Sequence, residues 1–374
     1  MKKNILISLF SVAACMTIIL ISCSKSNTGS TPPPNNGGTD ETLVNIGTNI
    51  IVPSYQQLST NTATLDAAVS AFNTNPTLTT LADAQNAFKS AYKSWAAASE
   101  FEFGPATDLF LTTHFTNAFP TDTVTIINNI NGASYAIDGL GNYAAQGFPA
   151  IDYLLFAYGN DASLARFSTN ANASGAKEYL AALTSSLKTK SAAVLNKWSA
   201  SGGNYLDKFN KATGVDAGSS LSLLVNALVL DFDVNLQNYK IGIPIGLYGP
   251  SVLPKAPTKV EGYYSGLSSQ LLIAQVQACQ NIYLGGSGSG LDDKVAATNA
   301  QKGEGTLNNA IKSQWATLIT KMQALPEPLS TGVENESPAI NDAFTEVRKM
   351  TVMLKVDMSS ALGVKISFQD DDGD

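Results

Sequence analysis

Between Leu78 and Phe101 the residues Leu81, Ala84, Phe88, Ala91, Trp95 and Ala98 recur three or four positions apart. That spacing lays them along one stripe of an α-helix and does not suit a strand, whose faces alternate at every second residue. The same period predicts further helices over Leu43 to Phe72, Val124 to Ile137, Ala176 to Trp198, Leu221 to Tyr239, Val260 to Tyr283, Val295 to Leu325 and Ile340 to Leu362. Breakers separate them: Gly104-Pro105, Ser201-Gly202-Gly203, the Gly- and Pro-rich Ile241 to Pro257, Gly285 to Gly290, and Pro326 to Pro338. Phe101-Glu102-Phe103 alternates, but three residues are too few for a strand. The expected fold is all-α, two helical bundles with a site at their junction, divided between 200 and 220 into domains 41–210 and 211–374.

The N-terminus has a different chemistry. Lys2 and Lys3 precede an apolar run from Ile5 to Ile21, the pattern of a signal peptide over residues 1–22, and Leu20-Ile21-Ser22-Cys23 reads as a lipobox with Cys23 as the acylated residue. Ser24 directs such a lipoprotein to the outer membrane, facing the periplasm or the cell surface. Residues 23–40, with Pro32, Pro33 and Pro34 in a row, read as a flexible tether. Loss of Lys2 and Lys3 moves the net charge from −7 to −9, and there is no basic stripe interleaved with aromatics, which argues against a nucleic-acid partner. The membrane is met through the lipid. With Cys15 in the signal and Cys23 acylated, Cys279 stands alone on an apolar helical pattern and reads as a core side chain.

The stretch from Gly147 to Gly159 organises the candidate site. Pro149 suits a first helical turn, and Asp152 falls near the positive end of that helix, where amide dipoles favour a carboxylate. Here the chain resembles the imelysin-like family, classed as metallopeptidase family M75 or as periplasmic iron-uptake components, whose signature is GxHxxE. Gly147 matches, whereas the histidine position is Pro149 and the glutamate position Asp152. Trp95 with Glu100 to Pro105 resembles the family's W…FGP segment, Tyr239 to Gly246 its second-half loop, and Lys259 to Ser265 its E-S-x-Y-S segment. Ala361 to Val364, leading to Asp372-Gly373-Asp374, resembles its terminus. The resemblance implies two helical bundles with a site between them and a link to iron uptake.

A metal-dependent peptidase needs ligands that leave a position open for water, and a base within reach. Proline has no side-chain lone pair, the chain has one histidine, His114, and no His-Glu-x-x-His occurs. Carboxylates can still hold hard cations, iron or another divalent metal among them. Asp152, Glu102 and His114 are the candidate metal ligands. Asp152, Glu102, Glu100, Asp108, Tyr143 and Tyr153 are the candidate ligand-binding residues. Asp231 and Asp233 interrupt the most apolar helix, and since residues two apart share no helical face, one is expected to face the domain junction and the other to reach solvent or pair with a lysine. The acidic Asp370 to Asp374 lacks the spacing of a calcium loop. Trp95 and Trp198 are expected as core anchors. The chain is thus read as a noncatalytic, lipid-anchored binding or accessory component of an envelope uptake system, with an uptake or surface protein as partner. The alternatives are an unconventional metal-dependent peptidase and an envelope protein-interaction module.

Overall fold

Asp40 caps Glu41–Ile46, its carboxylate accepting the amide N–H of Thr42 and Leu43. The computed structural model describes residues 39–132, 135–249 and 251–368. The expected signal, Cys23, most of the tether and the acidic stretch from Asp370 onward lie outside the described residues. After Glu41–Ile46 a π-helical turn, Gly47–Ile51, leads without a break into α1 (Val52–Thr74). Pro53 therefore sits where the π-helical turn passes into α1, inside a continuous helical rod.

The helical stripe that opens the sequence becomes α2 (Leu78–Ala96), capped by a reciprocal Thr77–Thr80 box. It stops before Phe101, and Ser99–Phe101 turns as a short 3₁₀ helix toward Gly104-Pro105. Asp122 caps Thr123–Ile130, which is shorter than the pattern suggested. Then come α3 (Gly147–Phe156), α4 (Ala173–Trp198) and α5 (Ser220–Leu230). The rod begun by α5 continues as twelve π-helical residues, Asp231–Gly242. The remaining long helices are α6 (Ser268–Leu284), α7 (Leu307–Gln323) and α8 (Pro338–Val352). The helix expected over 295–325 is divided instead: Leu291–Ala297 is followed by a two-residue antiparallel ladder, Gln301–Lys302 with Gly305–Thr306, before α7 begins. Leu247–Tyr248 pairs with Ser251–Val252 in a second such ladder. Among the described residues these are the strands, and the architecture is all-α.

Helices α1, α2, α3 and α4 pack on one another in the first half, and α6, α7, α8 and the Asp231–Gly242 rod in the second. Contacts of α2 with α6, and of Ser99–Phe101 with α5, join the two groups. Trp95 and Trp198 are buried, as is Cys279. No helix among the described residues is long and apolar enough to cross a membrane.

Candidate functional site

Gly147 opens α3 at φ +70°, and a Cβ there would stand 2.1 Å from the Thr116 carbonyl oxygen. A side chain at this position would both strain the backbone and push the 113–119 segment away. Gly147→Ala is expected to cost about 2 kcal/mol, measured as a lower denaturant midpoint. An unchanged midpoint would mean that the segment gives way freely.

Farther along α3, Asp152 is 1% exposed. Its Oδ2 accepts the Tyr264 amide N–H at 2.9 Å and its Oδ1 that of Ser265 at 3.0 Å. The carboxylate thus ties the first half to the 260–267 turn of the second. This explains why α6 starts at Ser268 and not at Val260: Gly262 and Gly266 adopt φ +60° and +70°, and the amides between them face Asp152. Burial pushes the Asp152 pKa up to about 7 against these hydrogen bonds, with Glu261 adding to the rise.

Glu261, on the same turn, accepts from Asn117 Nδ2 at 2.6 Å, and Lys240 Nζ lies 3.0 and 2.9 Å from its two oxygens. Lys240 also donates to Gln275 Oε1 at 2.5 Å, and Gln275 Nε2 donates to Asp231 Oδ1 at 2.6 Å. Asp231 further accepts from Asn235 Nδ2 at 3.0 Å, while Tyr92 Oη donates to Asn117 Oδ1 at 2.6 Å. Asp233 is buried as well and pairs with Lys355 at 3.0 Å. Both aspartates are therefore interior, because the rod that carries them is contacted on several sides. One of them meets a lysine, as the spacing suggested.

A cleft of about 290 Å³ opens onto this network, lined by Thr113, His114, Asn117, Ala118, Phe119, Asn235, Tyr239 and Lys240. Glu102 stands behind Thr113, whose amide and hydroxyl both donate to Glu102 Oε1. Burial raises the Glu102 pKa to about 7, opposed by those bonds. Glu100 is buried with neither carboxylate oxygen hydrogen-bonded, and burial, reinforced by Asp231, holds its pKa well above the usual carboxylate range.

The other expected site residues are dispersed. His114 lines the cleft and stacks on Tyr143 at 4.6 Å. Asp108 is exposed. Tyr153 Oη lies 2.9 Å from Tyr158 Oη, beneath the Arg166 guanidinium. Asp152 accepts an amide N–H at each oxygen, and no three His, Cys, Asp or Glu residues converge among the described residues. Sequence reasoning missed Lys240, Glu261, Asn117 and Gln275. A lysine and a glutamate set in the two otherwise uncharged loop cores, Tyr239 to Gly246 and Val260 to Ser265, were the available signal.

The profile of the imelysin family, peptidase M75, matches residues 51–351. Iron-regulated protein A of Synechococcus elongatus is 22% identical over 302 residues, covering 79% of this chain and 78% of its own. A crystal structure described as an iron-regulated protein A precursor, from Parabacteroides distasonis ATCC 8503, superposes with a TM-score of 0.68 at 19% identity, over 87% of this chain and 97% of that one. An imelysin-like protein from Psychrobacter arcticum 273-4 gives 0.60 at 16% identity, over 88% and 99%. With the family profile spanning most of its length and the same fold in both crystal structures, this chain belongs to the imelysin family.

Proposed function

We propose that this protein is a noncatalytic, lipid-anchored component of the outer membrane that binds a cationic cargo, iron or another metal, for uptake. The observation that carries the reading is the cleft at Thr113–Phe119 and Asn235–Lys240, backed by Glu102, Asp231 and Glu261 with one ammonium among them. Glu261 is paired with Lys240, but Glu102 and Asp231 have no lysine partner in this group, and their charge behind the cleft favours a positively charged guest. The names of the cyanobacterial and Parabacteroides relatives point to iron. Catalysis has less support, since Asp152 spends both oxygens on backbone amides and Pro149 supplies no lone pair.

The test is calorimetric titration of the full chain, without a histidine tag, against ferrous, ferric, zinc and calcium ions. Stoichiometric binding that weakens about tenfold in His114→Ala, a change of about 1.4 kcal/mol, is the expected result. Silence with every ion at micromolar concentration, or binding indifferent to both His114→Ala and Asn235→Ala, would overturn the assignment.

A further inference from the structure

Two faces of the Asp231–Gly242 rod line separate cavities. Asn235 and Tyr239 face the cleft described above, whereas Asp233 and Gln237 line a second groove, of about 490 Å³. Its other wall is α8 and the π-helical Met353–Met358 that continues it, carrying Arg348, Val352 and Val356, four residues apart and so along one helical row. Lys349 and Lys355 complete the charged lining. Ion pairing around the groove leaves one cation over. Asp233 takes Lys355, Glu346 takes Lys349, Asp342 takes Lys321 and Asp357 takes Lys302. Among the described residues Arg348 has neither an ion pair nor a hydrogen bond, and its guanidinium lies over the Phe344 ring, 5.9 Å from the centroid. The choice of arginine is itself informative. Lysine supplies nearly all the positive charge of this chain: Arg166 and Arg348 are its only arginines, and Arg166 is held against the Tyr153 and Tyr158 rings. A guanidinium offers a planar fork that matches two oxygens of a carboxylate or phosphate, which an ammonium does not. Beside it, Val352 and Val356 are 52% and 56% exposed. An apolar strip therefore adjoins an uncompensated cation within one groove.

We infer that this groove binds an amphiphilic organic anion, its carboxylate or phosphate head on Arg348 and its aliphatic part along Val352 and Val356. Contact with Phe344 restrains the guanidinium, which lowers the cost of ordering it on a ligand. Lys349 and Lys355 are each matched by a carboxylate, so Arg348 sets the sign of the guest. The two valines give the rest of the ligand somewhere to leave water. This site is separate from the cleft at Thr113–Phe119, and the inference does not depend on the metal reading of that cleft.

Calorimetric titration of the full chain separates head from tail: hexanoate is compared with acetate, hexyl phosphate with inorganic phosphate, and hexylamine serves as the charge control. At least one amphiphilic anion is expected to bind about tenfold more tightly than its short counterpart, roughly what burial of two methylenes supplies, and more tightly than hexylamine. Whichever of the two anions binds better identifies the head group. Arg348→Gln is expected to weaken that binding about tenfold, and Arg348→Lys to restore little of it, because the charge returns without the fork. The double variant Val352→Ser, Val356→Ser should bring the amphiphile down toward its short counterpart. All three positions are exposed, so the thermal midpoint should hold in each variant. Binding of neither amphiphilic anion at millimolar concentration, hexylamine binding as tightly as the anions, or full affinity in Arg348→Gln would overturn the inference. An amphiphile that binds no better than its short counterpart would overturn it too.

Discussion

Replacing Lys240 with methionine is expected to lower the stability of the protein by about 3–5 kcal/mol, the usual cost of breaking a buried ion pair from one side. Lys240 and Glu261 are both almost fully buried, and the ammonium lies within hydrogen-bonding distance of both carboxylate oxygens and of Gln275. Methionine fills comparable volume, so the loss comes from charge. Glu261 would keep only Asn117 as a side-chain donor, and Gln275 would lose the partner of its carbonyl. The double variant Lys240→Met, Glu261→Gln removes the stranded charge and should recover more than half of the loss. Denaturant midpoints at constant pH give both quantities. A Lys240→Met midpoint close to wild type would mean that water reaches Glu261 and that the network is not closed.

Asp152→Ala comes next in size. It leaves the Tyr264 and Ser265 amides buried without an acceptor, at about 1–3 kcal/mol for each. The same carboxylate gives the protein an unusual pH dependence. Its pKa is about 7 in the folded state, against 3.8 for an ordinary aspartate. A group whose folded pKa is raised binds more protons folded than unfolded, so its stabilisation is complete below pH 4 and is lost as pH rises through 7. Glu102, raised from 4.5 to about 7, acts in the same direction. Stability is therefore expected to increase from pH 8 to pH 5.5, with Asp152 alone contributing on the order of 4 kcal/mol across its full range from 3.8 to about 7. Asp152→Asn abolishes that titration while keeping one acceptor, and should flatten the slope. Midpoints at four pH values compare the two proteins. A slope identical in wild type and Asp152→Asn would show that the carboxylate is solvated.

Much of this fold can be read along the chain. The stripe from Leu81 to Ala98 buries the face it predicts, Trp95 and Trp198 are core anchors, and Gly147 marks a place where backbone meets backbone. These are local properties, since periodicity decides which face is apolar and a missing Cβ decides how closely a helix can approach. The failures had a distant origin. Val260 to Leu267 has helical spacing, yet Asp152, more than a hundred residues away, takes the Tyr264 and Ser265 amides and holds the segment as a turn.

The candidate site was less legible because its meaning lies in pairings. The sequence alone marked Asp152, Glu102, Glu100 and His114 as chemically eligible, and it set the helices and the membership in a family. It did not mark Lys240 and Glu261 as partners, or show that a π-helical register from Asp231 to Gly242 would bury Asp231, Asp233 and Lys240 together. Nor did it show that Phe110, Phe115, His114 and Tyr143 would form one aromatic series, of which His114 lines the cleft. Local preference follows from bonded geometry and near neighbours, and so it is written in the sequence. The fate of a buried charge depends on which donor the tertiary fold brings within about 3 Å, a distance at which one partner changes the cost by several kcal/mol.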